Sequence, residues 1–195
     1  MEEKYPITAQ SLLLDSYRLA QKILESDFRP DFMISLWRGG VPIGIAVQEL
    51  LSYSGLHPDH ISIRTSAYKD IGVMNGKIMV HGLRYISDYI KPNQRLLLVD
   101  DVHDTGKTMQ AVIEALKKRL NGQIPKEIRI ATVYFKPAQN QTNITPDFYV
   151  HKTDKWIIFP HELCGLTEQE IYAYKGRELF EILNKIKSRS ETTPV

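Results

Sequence analysis

An α/β domain with a mostly parallel central sheet, flanked by helices, is predicted by two patterns in this 195-residue chain. Short apolar runs alternate with longer segments whose apolar residues recur at helical spacing. One of the runs, Arg95-Leu96-Leu97-Leu98-Val99, is apolar on both faces, as strands inside a parallel sheet are. The length suffices for one domain with a buried core, and no linker divides it. Residues 1–195 are therefore read as a single domain, with a polar, frayed tail over 188–195.

Thr8 precedes Leu12, Leu13, Tyr17, Leu19, Ala20, Ile23 and Leu24, which predicts an amphipathic helix from Thr8 to Glu25. Phe32 to Leu36 is a strand, Arg38-Gly39-Gly40 a glycine turn, and Val41 to Leu51 a helix. Ile61 and Ile63 alternate with polar neighbours in a second strand, and Gly72, Asn75 and Gly76 mark a loop or hairpin over Ala67 to Lys77. After the Arg95 to Val99 strand come a loop, Asp100 to Gly106, and a helix from Lys107 to Leu120, closed by Asn121-Gly122. Ile128 to Phe135, Phe148 to Val150 and Trp156 to Phe159 are further strands, and Thr167 to Lys187 is a final helix whose Thr167 and Glu170 have capping-box spacing. In such sheets ligands bind at the carboxyl ends of the strands, where both glycine turns fall.

The composition excludes several classes. A formal charge of +2 is too small for a nucleic-acid surface, which needs a concentrated basic face. Cys164 is the only cysteine, so no internal disulfide is possible, and a reducing, cytoplasmic setting is expected. No apolar stretch is long enough to span a bilayer, and the Met-Glu-Glu-Lys start is unlike a signal peptide. The sequons at Asn140 and Asn143 are accordingly read as polar loop residues.

The chemistry lies in Leu96-Leu97-Leu98-Val99-Asp100-Asp101-Val102-His103-Asp104-Thr105-Gly106-Lys107-Thr108. A buried strand delivers two adjacent carboxylates into a loop that turns into a helix through Thr-Gly-Lys-Thr. Backbone N–H groups at the helix start, with the Thr105 and Thr108 hydroxyls, form an anion site suited to phosphate. The carboxylates can accept hydrogen bonds from sugar hydroxyls or hold a Mg²⁺ shell. A phosphate cradle beside sugar-binding acids describes a phosphorylated sugar. The ending Gly106-Lys107-Thr108 is shared with Walker A loops, but those require glycine where this chain has Asp101. A purely structural reading makes Asp104 or Thr105 a helix cap.

This run resembles the phosphoribosyl pyrophosphate signature of the type I phosphoribosyltransferases. The resemblance spans Phe32 to Glu162 and implies that Thr105, Gly106, Lys107 and Thr108 hold the 5′-phosphate. It implies that Asp100 and Asp101 hold the ribose hydroxyls, directly or through Mg²⁺. Asp104 also belongs to that phosphoribosyl pyrophosphate site, and its carboxylate is similar to that of the 6-oxopurine branch, where it would serve purine N7 as general base or orienting group. Val133-Tyr134-Phe135-Lys136-Pro137-Ala138 resembles the strand end of bacterial xanthine–guanine enzymes, which implies that Lys136 donates to O6. Asp154-Lys155-Trp156-Ile157-Ile158-Phe159-Pro160-His161-Glu162 resembles their base-binding segment. There Trp156 would stack on the purine, the backbone at Ile157 would face its C2 edge, and Glu162 would help to hold Mg²⁺-pyrophosphate; a lone Trp156 could equally be core.

Leu36-Trp37-Arg38-Gly39-Gly40 resembles the family's pyrophosphate loop, with Trp37, Arg38 and Gly39 as pyrophosphate-binding residues. Relatives often carry a non-proline cis peptide in this loop, so the resemblance implies one between Trp37 and Arg38. Ser66-Ala67-Tyr68-Lys69 is similar to the Ser-Tyr pair of the family's flexible lid. The chain departs from the pattern at bulky Trp37, at His103, commonly apolar in relatives, and at Ile158, commonly polar in xanthine–guanine enzymes. The expectation is a Mg²⁺-dependent 6-oxopurine phosphoribosyltransferase of purine salvage, a homodimer or homotetramer, with the choice among hypoxanthine, guanine and xanthine left open. The alternative is a non-catalytic regulator that keeps the site as a phosphoribosyl pyrophosphate sensor, in which Asp104, Lys136 and Trp156 would be superfluous.

Overall fold

The computed structural model describes residues 4–67 and 78–191. In chain order its first elements are β1 (Lys4–Pro6), α1 (Ala9–Glu25), β2 (Phe32–Trp37), α2 (Gly40–Tyr53), β3 (Asp59–Ala67), β4 (Ile78–His81) and α3 (Leu83–Tyr89). There follow β5 (Arg95–His103), α4 (Lys107–Arg119), β6 (Glu127–Phe135), β7 (Phe148–Lys152), β8 (Trp156–Ile158), α5 (Glu168–Lys175) and α6 (Arg177–Glu191). The chain divides into two compact units, Gln10–Asp154 and, more sparsely packed, Met1–Ala9 with Lys155–Val195.

The larger unit holds the predicted sheet, six strands in the order β4-β3-β2-β5-β6-β7. Strands β3, β2, β5, β6 and β7 run parallel, and β4 pairs antiparallel with β3. The central strands carry apolar residues on both faces because helices cover both: Leu96 to Val99 are fully buried, and Phe32 to Leu36 nearly so. One face packs Phe32, Ile34, Leu36, Leu96 and Leu98 with Met109, Val112 and Leu116 of α4 and Leu83 and Ile86 of α3. Replacing Leu98 by alanine should therefore cost about 2–5 kcal/mol, measured as a lowered midpoint in urea unfolding with an unchanged slope. From β2 the chain crosses to β3 on one side, and from β5 to β6 on the other. The carboxyl ends of β2 and β5 therefore flank a topological switch point, where the two departing loops leave a crevice.

The smaller unit pairs β1 with β8 in parallel, Lys4 opposite Trp156 and Pro6 opposite Ile158. The predicted capping box is present: Thr167 accepts from the Glu170 N–H while Glu170 accepts from the Thr167 N–H. The single final helix expected from Thr167 to Lys187 is instead two helices, broken at Gly176, whose φ of 90° and ψ of 164° no helix accommodates. The second of these helices runs to Glu191. Strand β1, strand β4 and helix α3 have no counterpart in the sequence reading, because three-, four- and seven-residue elements are too short to establish a period.

Candidate active site

The loop after β2 begins with Trp37, about half exposed, and the Trp37–Arg38 peptide bond is cis, as expected. Arg38 is exposed. Gly39 and Gly40 let this loop press against the end of β5. A Cβ on Gly39 would lie 1.9 Å from Asp101 Oδ2, and one on Gly40 would lie 2.5 Å from the Val99 carbonyl oxygen. Any side chain at Gly39 would therefore occupy the space of the Asp101 carboxylate.

The loop expected from Asp100 begins only after His103, because β5 keeps pairing with β6 through Val102 and His103, so both carboxylates are fixed by the strand that carries them. The Asp101 N–H donates to Asp100 Oδ1 at 3.0 Å, and the Val102 N–H donates to Asp101 Oδ1 at 2.8 Å. Burial, reinforced by the neighbouring Asp101 carboxylate, holds Asp100 well above the usual carboxylate range. An arriving cation or hydroxyl donor would relieve that penalty. Among the described residues no group of three His, Cys, Asp or Glu side chains could enclose a metal ion. The adjacent pair nevertheless fits Mg²⁺, which keeps water and substrate oxygens in its shell and needs only one or two protein carboxylates.

Beyond β5 the chain turns through Asp104, Thr105 and Gly106 into α4. Gly106 is the residue before the helix, with φ of 78°, and no side chain caps the helix start. The first turn of α4 carries no acidic residue. Neither Asp104 nor Thr105 acts as the cap that the structural reading required. Unsatisfied N–H groups and the positive end of the helix dipole thus remain for an anion, with Lys107 and Thr108 in the same turn.

Asp104 meets Lys136 across this loop. Lys136 Nζ lies 3.7 Å from Asp104 Oδ2, with the lysine side chain 11% exposed and the aspartate 46% exposed. The Lys136 N–H donates to the His103 carbonyl at 2.9 Å, so the end of β6 is stitched to the end of β5. Ser66 lies near the carboxyl end of β3, opposite Met79 of β4, with its hydroxyl 3.3 Å from His81 Nε2. Tyr68 lies outside the described residues.

In the smaller unit Trp156 is 52% exposed, so it is not the core residue that composition alone would favour. Ile157 and Ile158 are buried. Glu162 closes a turn with Phe159, whose N–H donates to Glu162 Oε2 at 3.3 Å. Burial lowers the pKa of Lys175, which donates to the Phe159 carbonyl, and the Glu162 carboxylate partly offsets that effect.

The phosphoribosyl transferase domain matches residues 7–167 of this chain. The chain belongs to the phosphoribosyltransferase family. It is 33% identical to a xanthine-guanine phosphoribosyltransferase of Desulfotalea psychrophila over 160 residues, covering 80% of this chain and 84% of that protein. A hypoxanthine/guanine phosphoribosyltransferase of Methanocella paludicola is 30% identical over 130 residues, covering 63% of this chain and 61% of that protein. The crystal structure of a purine phosphoribosyltransferase from Pyrococcus horikoshii superposes with a TM-score of 0.64 at 31% identity, covering 84% of this chain and 97% of that one. Membership of this family makes the chain an enzyme of the phosphoribosyltransferase type, with the mostly parallel α/β fold expected of it.

The fold brings Trp37, Arg38, Gly39, Asp100, Asp101, Asp104, Thr105, Gly106, Lys107, Thr108 and Lys136 to the carboxyl edge of one sheet. Trp156, Ile157 and Glu162 belong to the smaller unit. Sequence reasoning missed the stretch after Lys136. Asn140, Thr142 and Ile144 lie against Gly106 and His103, and Gln141 N–H donates to the Thr105 carbonyl at 3.0 Å. The available signal was a pair of sequons, which reports only that polar residues are present.

Proposed function

We propose that this protein transfers the 5-phosphoribosyl group of phosphoribosyl pyrophosphate to N9 of a 6-oxopurine, giving the nucleoside monophosphate and pyrophosphate in purine salvage. The reading rests on the meeting of Asp104 and Lys136 beside an uncapped helix start. A 6-oxopurine protonated at N7 offers a donor at N7 and an acceptor at O6 on one edge. A carboxylate and an ammonium set 3.7 Å apart match that pair. Adenine places an amino donor at position 6, which an ammonium, having donors only, cannot accept.

The 5′-phosphate binds the N–H groups at the start of α4 with Thr105, Gly106, Lys107 and Thr108. Arg38 and the Gly39 backbone receive pyrophosphate, the guanidinium offering a fork of donors. Asp100 and Asp101 accept from the ribose 2′ and 3′ hydroxyls or hold Mg²⁺. Bound there, Mg²⁺ would offset the charge that pyrophosphate gains as it departs. Asp104 takes the N7 proton, or orients it, as the N9–C1′ bond forms, and its charge favours the cationic character that develops at C1′. The resemblance assigns Trp156 to purine stacking, the Ile157 backbone to the purine's C2 edge and Glu162 to Mg²⁺-pyrophosphate. The resemblance assigns Ser66, and Tyr68 outside the described residues, to the family's lid, whose role is to exclude water.

No described helix is long and apolar enough to cross a membrane. A cytoplasmic setting suits the exposed Cys164 thiol. The homodimer or homotetramer implied by the resemblance belongs to the same reading and is measured by light scattering.

The direct test offers hypoxanthine, guanine, xanthine, adenine and orotate in parallel, with Mg²⁺ and phosphoribosyl pyrophosphate, and follows absorbance. Turnover of one or more 6-oxopurines and none of adenine or orotate is expected. Turnover of adenine or orotate in preference would remove the role given to Lys136. Absence of any turnover, with phosphoribosyl pyrophosphate still bound, would remove the catalytic reading.

A further inference from the structure

Gly106 starts α4 without a side-chain cap, yet its positive φ must be held for the N–H groups behind it to face a phosphate. The restraint comes from the loop after β6. A Cβ on Gly106 would lie 2.3 Å from Thr142 Oγ1, 2.6 Å from Asn140 Oδ1 and 3.1 Å from His103 Nε2, so the Gly106 backbone rests directly on these three side chains. They in turn form a closed hydrogen-bonded set. Asn140 Oδ1 accepts from the Thr142 N–H at 3.1 Å and from the Thr142 hydroxyl at 3.0 Å. Asn140 Nδ2 donates to the Ile144 carbonyl at 2.8 Å, and that carbonyl also accepts from His103 Nε2 at 3.1 Å. The Ile144 N–H donates to Thr142 Oγ1 at 3.2 Å. His103 is buried and packs edge-on against Phe135, with ring centroids 5.6 Å apart.

Two backbone bonds attach the set to the phosphate loop on either side of Asp104. Lys136 N–H donates to the His103 carbonyl at 2.9 Å, and Gln141 N–H donates to the Thr105 carbonyl at 3.0 Å. We propose that Asn140, Thr142 and His103 are positioning residues that set the shape of the 5′-phosphate loop. The inference rests on the phosphoribosyl-transfer reading for the identity of the anion, though not for the geometry. The role assigned to the three involves no contact with substrate. They act by leaving Gly106 one conformation, so that the phosphate is received by N–H groups already aimed at it and little ordering remains to be done on binding.

The experiment titrates ribose 5-phosphate, phosphoribosyl pyrophosphate and inorganic pyrophosphate by calorimetry into wild type, Asn140→Ala, Thr142→Val and Thr142→Ser. Loss of the hydrogen bonds around Asn140 or Thr142 should weaken ribose 5-phosphate and phosphoribosyl pyrophosphate by about tenfold. Pyrophosphate, received by the separate Arg38–Gly39 loop, should stay within about twofold, and Thr142→Ser should bind like wild type because it keeps the hydroxyl. Thr142→Val preserves side-chain volume and carries the test if Asn140→Ala does not fold. Unchanged ribose 5-phosphate affinity in a folded variant overturns the proposal. So does equal weakening of pyrophosphate, which marks a general loss of structure. Wild type that binds ribose 5-phosphate but turns over no base removes the catalytic reading and leaves this measurement intact; wild type that binds no ribose 5-phosphate removes both.

Discussion

Asp104→Ala is expected to lower kcat on the preferred 6-oxopurine by about 10²–10⁴-fold, the usual worth of a positioned acid–base group. The KM for phosphoribosyl pyrophosphate should change far less, because the proposed function assigns the phosphate to backbone N–H groups of α4 and the ribose to Asp100 and Asp101, and neither to Asp104. Folding should survive the substitution. The Asp104 side chain is 46% exposed and its contact with Lys136 is 3.7 Å, a half-solvated pair worth about 1 kcal/mol or less. A fall in kcat with an unchanged melting temperature therefore separates chemistry from stability. Asp104→Asn divides the role further: an amide can still hydrogen-bond at N7 but cannot take a proton or oppose cationic charge. If Asp104→Ala turns over within about threefold of wild type, Asp104 is neither base nor orienting group.

The parts of this protein that were legible in its sequence are those written contiguously. Leu96 to Val99 announce a strand apolar on both faces, and the same run continues into both carboxylates, the glycine turn and the helix that follows it. One stretch of chain therefore states the strand and the acids it carries together, although the two acids hid the strand's last four residues, which run to His103. The Thr167–Glu170 capping box was legible for the same reason, since it is a property of neighbouring residues, whereas the cis Trp37–Arg38 peptide was expected only from the family resemblance. What the sequence could not display is proximity made by the sheet. The approach of Lys136 to Asp104 exists because β5 and β6 are paired neighbours with Val102 opposite Tyr134 and His103 opposite Phe135. Asn140 and Thr142 read as loop polarity until the fold sets them beneath Gly106. The break at Gly176 was obscured because apolar residues on both sides keep a helical period, and one glycine within such a pattern is often tolerated.

Gly39 is the sharpest case of a constraint that only the fold discloses. Alone, a glycine pair after a strand is a weak signal; the structure shows what the first of the pair makes room for. A Cβ at Gly39 would lie 1.9 Å from Asp101 Oδ2, 2.3 Å from its Cγ and 2.6 Å from its Oδ1, so both groups cannot occupy their present positions. Gly40 offers no escape toward β5, because its own Cα already faces the Val99 carbonyl and the Asp100 backbone. Gly39→Ala must therefore displace either the Asp101 carboxylate or the start of α2. Overpacking of this kind costs about 1–3 kcal/mol, which for a chain of this size lowers the melting temperature by roughly 2–12 °C. The functional loss should exceed the loss of stability. Moving the carboxylate or the loop after β2 by about 1 Å can cost about 10²-fold in rate, and Gly39→Ala disturbs both sides of the crevice at once. A fall of about 10²-fold in kcat/KM for phosphoribosyl pyrophosphate is expected, with weaker pyrophosphate inhibition. In Gly39→Ala/Asp101→Gly the overlap is gone, so the melting temperature should recover while activity does not. Recovery of both would mean that Asp101 only fills space, whereas recovery of stability alone identifies its carboxylate as part of the working site.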